Sequence, residues 1–93
     1  MYSNKGAKMD NIEELSEIMC KMNEEKDLRQ FLLEILTESE LADLSKRWRI
    51  IKMLNSGYTQ REIAKELNVS LCKVTRGAKI LKNKNAIVKK YLG

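Results

Sequence analysis

Leu71, Cys72, Lys73 and Thr75 stand together directly after Ser70, with Arg61 upstream and Lys82 downstream. Side chains of these types suit the reading of a nucleic acid. Short apolar groups meet thymine methyls, a threonine hydroxyl bonds a base edge or a phosphate, and cations such as Arg61 and Lys82 hold phosphate and set orientation. A plainer reading of the same residues is that Leu71 packs the domain and Cys72 is inert surface. Catalysis has little to draw on. The 93 residues include no histidine, and Cys20 and Cys72 belong to no C-x-x-C pair. The usual zinc ligands and the usual acid-base group are therefore missing, and the chain is read as a non-enzyme with no cofactor or metal.

Those candidate readers need helices to hold them. Thr59 and Glu62 form the T-x-x-E pattern of a capping box, opening a helix to about Leu67. Asn68 suits a left-handed turn, and Ser70 suits the cap of a second helix running to about Leu81. Ile63, Ala64, Leu67, Val69 and Val74 supply the apolar contacts between the two, with Ala64 small enough for a close crossing. The stretch from about 60 to 81 thus has the layout of a helix-turn-helix, and residues 71–75 fall near the end of the second helix that enters a major groove.

Upstream, Asp10 is expected to cap a helix carrying Ile12, Leu15, Ile18, Met19 and Met22, and residues 23–27 to form a loop. Leu28, Phe31, Leu32, Ile35 and Leu36 mark a second helix. Thr37 and Glu40 repeat the capping box and open a long third helix, whose stripe Leu41, Leu44, Trp48, Ile51 and Leu54 puts Trp48 in the core, and Gly57 ends it. Asn85 is expected to cap a last short helix ending near Leu92. The reading is an all-α chain of six helices: a flexible tail over residues 1–9 and one DNA-binding domain over 10–93.

Charge is divided along the chain. Met1 to Ser45 carries five basic and eleven acidic side chains, Lys46 to Gly93 thirteen basic and two acidic. After Glu66 no carboxylate side chain occurs, while seven cations follow. The reader sits in this positive half, which favours phosphate over a solvated basic helix or an anionic lipid surface. Without a disulfide framework, so small a core favours pairing with a second copy, hence a homodimer. No apolar run of about 18 residues is present, so no membrane partner is expected. The first eight residues lack the pattern of a secretory signal, which predicts a cytoplasmic location.

Ile35 to Ile50, then Gln60-Arg61-Glu62-Ile63, Glu66-Leu67, Thr75-Arg76-Gly77 and Leu81-Lys82, resemble the tryptophan operon repressor family over about residues 28 to 92. The helix-turn-helix pattern alone is shared by many regulators. The Thr-Arg-Gly of the second helix, joined to L-T-x-x-E and the arginine ahead of R-I-I, is more specific.

The resemblance implies an intertwined homodimer that binds L-tryptophan or a related indole as corepressor and then sets its two reading helices on a palindromic operator of double-stranded DNA. It implies that Arg47 and Arg76 sandwich the indole ring, that Arg76 also meets the carboxylate, that Thr37 holds the polar end and that the Leu36 carbonyl meets the amino group. Guanidinium planes stack on an indole face and pair with carboxylates, which agrees with those roles. Gly77 matches a position where a side chain would crowd the ring. Ile80 replaces a family serine that contacts the ligand's amino group, Lys73 replaces a small residue, and the link from Gly57 to Gln60 is one residue shorter. The change at Ile80 suits a ligand lacking the amino group. Two other readings stand beside the repressor. One is a ligand-independent regulator of the same fold, with Arg76 on phosphate and Arg47 solvated. The other is a protein-interaction adaptor without specific DNA recognition.

Overall fold

A computed structural model describes residues 7–92, five α-helices followed by a 3-10 turn: α1 (Ala7–Cys20), α2 (Glu25–Ile35), α3 (Glu38–Asn55), α4 (Gln60–Leu67), α5 (Leu71–Lys82) and the turn Ile87–Tyr91. Among the described residues there is no strand. The expected tail lies outside the described residues for 1–6, and the helix begins at Ala7, so Asp10 sits in its first turn and is not its cap. The loop expected over 23–27 is shorter, because α2 already starts at Glu25. Glu25 and Asp27 in that first turn complement the positive helix end, although Glu24 makes no side-chain cap bond.

The chain divides into two compact units, Met1–Glu38 and Ser39–Gly93. In the first, α2 has no buried residue, and Ile12, Ile18, Leu33 and Ile35 stay exposed. Two amphipathic helices therefore leave much of their apolar surface in solvent.

The second unit has the core. Ile50 of α3, Ile63 of α4 and Val74 of α5 are almost fully buried, and Met53, Leu54, Ala64, Leu67 and Val69 pack around them. Burying each such side chain contributes roughly 1.5–3 kcal/mol. The stripe expected on α3 is rotated from the observed one. Ile50 is 2 % exposed and Trp48 43 % exposed, so Trp48 is not core in this chain. The reason is tertiary: α4 and α5 cover the Ile50, Ile51 and Leu54 side of α3, which leaves Leu44 and Trp48 open.

Local chemistry sets the ends of these helices. At the end of α3, Gly57 has φ +98°, its amide donates to the Leu54 carbonyl, and the Tyr58 amide donates to Met53. These two bonds form a Schellman stop. Asn68 does the same for α4 at φ 53°, with its amide donating to the Lys65 carbonyl and that of Val69 to Ala64. The final segment differs from expectation. It is a 3-10 turn preceded by Ala86 with no side-chain cap, and the Asn85 amide instead donates to Asn83 Oδ1. Five residues with no buried member give little packing to extend a full helix.

Candidate ligand pocket and nucleic-acid interface

The α4–α5 pair begins each of its helices on a side-chain cap. The Thr59 hydroxyl oxygen accepts from the Glu62 amide at 3.1 Å, and the Thr59 amide donates to Glu62 Oε1 at 2.8 Å. Those Thr59 hydrogen bonds, from backbone first and side chain second, hold the Glu62 carboxyl below its ordinary pKa. Ser70 Oγ accepts from the Lys73 amide at 3.4 Å and starts α5. With Ile63 and Val74 buried against each other's helices, the first two turns of α5 are held with one face inward and the other free.

On that free face lie three of the expected readers, Leu71, Cys72 and Thr75. Leu71, Cys72, Lys73 and Thr75 are all exposed, and Cys72 is a free thiol. Leu71 keeps 48 % of its surface in solvent, so it does not serve the core. Arg61 on α4 and Lys82 at the last position of α5 are exposed too. Thr75 is the most constrained of the set: its hydroxyl donates to Gln60 Oε1 at 2.9 Å and also lies 3.0 Å from the Leu71 carbonyl. Gln60 was not foreseen as a partner. Its position at the first residue of α4, facing the reader helix, was the available signal.

Behind this face, α3 and α5 flank a solvent-open cavity of about 200 Å³. Asp43, Lys46, Arg47, Ile50 and Ile51 line it from α3, and Lys73, Arg76, Gly77 and Ile80 from α5. Four of the six expected ligand residues, Arg47, Arg76, Gly77 and Ile80, are thus brought together by two helices far apart in sequence. Leu36 ends α2 half-buried, and Thr37 follows it; both belong to the first unit and are not among these lining residues. Asp43, Lys46, Ile50 and Ile51 were missed. Spacings of three and four put Asp43, Ile50 and Ile51 on the face of Arg47, and Lys46 stands three from Asp43 and four from Ile50, which was legible. Lys73, expected as a DNA contact, lines the cavity as well.

The cavity carries four cations and one carboxylate above an apolar floor, and among the described residues neither arginine has an ion-pair partner. Such a site takes an anionic group at its polar end and a ring or hydrocarbon at the other. Gly77 has a structural reason as well as a spatial one. A Cβ there would meet Ile50 Cγ2 at 2.8 Å and Leu54 Cδ1 at 3.3 Å, so its missing side chain is what lets α5 approach α3. Among the described residues no cluster of His, Cys, Asp or Glu could hold a metal, and no helix is long and apolar enough to cross a membrane.

Residues 10–93 match the family described as Trp repressor protein. A "Trp operon repressor homolog" of Xylella fastidiosa is 45% identical over 74 residues, covering 78% of this chain and 80% of that protein. A protein of the same description from Chlamydia trachomatis is 40% identical over 76 residues, 81% of each. No solved structure matches the chain. With an all-helical fold and a family match over nearly its whole length, this chain belongs to the Trp repressor family, whose members are transcription regulators and not enzymes.

Proposed function

We propose that this protein is a sequence-specific DNA-binding repressor that acts as a homodimer on a palindromic operator, with L-tryptophan or a related indole as corepressor. The observation that carries the reading is that Arg47 and Arg76 line one cavity with Ile50, Ile51 and Ile80, on the reverse of a helix whose other side presents Leu71, Cys72 and Thr75. A ligand there braces α5 against α3, and the angle of α5 decides how well its first turns enter a major groove. In this scheme Leu71 and Cys72 meet thymine methyls, Thr75 meets base edges, Lys73 meets bases or backbone, and Arg61 and Lys82 hold phosphates. Arg47 and Arg76 stack on the ring, and Arg76 pairs with the carboxylate. Gly77 and Ile80 form the wall against the ring.

The homodimer is supported by the exposed Ile12, Ile18, Leu33 and Ile35, apolar surface that a second copy would cover. The cytoplasm is where such a repressor meets both its operator and its ligand.

Calorimetric titration with L-tryptophan, paired with selection of binding sites from random DNA, tests the reading. One ligand site per chain and a recovered palindrome bound more tightly with ligand present are expected. No heat at any temperature with the palindrome still recovered would favour ligand-independent regulation, in which the exposed, unpaired Arg76 serves phosphate. Loss of both would overturn the repressor reading.

A further inference from the structure

The cavity between α3 and α5 is chemically lopsided. Four of its lining side chains are cations that only donate hydrogen bonds, and four others have no polar side-chain atom. Asp43 is the one lining side chain that accepts. Away from the helix ends, the main-chain carbonyls of both walls already accept the amides four residues on. A ligand bearing a donor therefore finds its acceptor at Asp43.

That carboxylate is also uncommitted. Asp43 stands four residues before Arg47, a spacing at which a helical ion pair forms readily. Among the described residues, however, no ion pair involves either of them. An ammonium placed anywhere else in the cavity would face cations alone and be repelled.

We infer that Asp43 is a specificity-determining residue of this pocket: its carboxylate pairs with the ammonium of an α-amino acid whose own carboxylate meets the arginines. The pocket then selects the zwitterion over the same ring-bearing acid without an amino group. This rests on the ligand reading proposed above. It also reverses the expectation from Ile80, because the acceptor missing from α5 is supplied by α3.

The test is calorimetry on the full chain with L-tryptophan and with indole-3-propionate, for the native protein, Asp43→Asn and Asp43→Ala. Asp43 is exposed, and matching thermal melts check that the variants fold. The native protein should prefer tryptophan at least fivefold. Asp43→Ala should shift the ratio of the two affinities at least tenfold toward indole-3-propionate, by weakening tryptophan and sparing or tightening the propionate. Asp43→Asn, which keeps an acceptor without the charge, should fall between. An unchanged ratio, or a native preference for the propionate, overturns the role of Asp43 and leaves the corepressor site standing. No heat from either ligand with native protein overturns that site, and this inference with it.

Discussion

The Thr75 hydroxyl donates to Gln60 Oε1 across 2.9 Å, tying the first residue of α4 to the middle of α5 over fifteen positions of sequence. A hydroxyl has a single proton. While that proton is held by Gln60 and the Leu71 carbonyl, Thr75 can meet DNA only as an acceptor. Phosphate oxygens are acceptors too, so in the proposed DNA complex Thr75 would suit the amino groups of base edges and not phosphate.

Removing this link should cost little stability and more recognition. Thr75→Val and Gln60→Ala should each lower unfolding free energy by about 0.5–1 kcal/mol, with the double variant costing clearly less than their sum. Urea unfolding of the four proteins measures it. Additive losses would mean that the bond contributes nothing in solution.

Gly77→Ala should be among the most damaging small substitutions. Ile50 is 2 % exposed and packed in the core, so its Cγ2 must shift when a Cβ arrives at 2.8 Å. A loss of about 1–3 kcal/mol is expected. In an Ile50→Ala background, which removes the obstructing methyl, the same change should cost much less. A double-mutant cycle by denaturation decides the point.

The capping box makes part of the stability of α4 depend on pH. Its hydrogen bonds with Thr59 hold the folded Glu62 carboxyl below its ordinary pKa. Its contribution is therefore complete above the unfolded carboxylate value, and it is lost as pH falls through the lower folded value. Glu62→Gln, which keeps an acceptor for the Thr59 amide, should flatten that part of the curve between about pH 5 and pH 3, the range around an unfolded glutamate. Thr59→Ala should cost about 1 kcal/mol at neutral pH. Denaturant midpoints from neutral pH down through this range report both.

Phosphate-holding and base-reading side chains should separate by salt. Lys82→Ala and Arg61→Ala should weaken binding to all sequences alike and lower the salt slope by about 0.9 for each phosphate left without its cation. Leu71→Ala should leave the slope unchanged and relax the preference at one base pair in each half-site. Fluorescence anisotropy at several salt concentrations distinguishes them. A reduced slope for Leu71→Ala would remove it from the reading surface.

Much of the architecture was legible in the sequence because it is local. The Thr59–Glu62 box, the left-handed Asn68, the Ser70 cap and the Gly57 stop each satisfy their bonds within about five residues, so type and spacing were enough to set the start and end of α4 and the start of α5. The same holds for the apolar set Ile63, Ala64, Leu67, Val69 and Val74, whose spacing survives in the observed core. Where local signals were weak, at Asp10, Asn23 and Asn85, the helix ends moved. Tertiary structure alone decided which face of α3 turns inward, because residues at spacings of three and four cover more than one face and only the docking of α4 and α5 chooses among them. That choice buried Ile50 in place of Trp48, required glycine at 77, and brought Asp43 into one cavity with Arg76, thirty-three positions away in sequence.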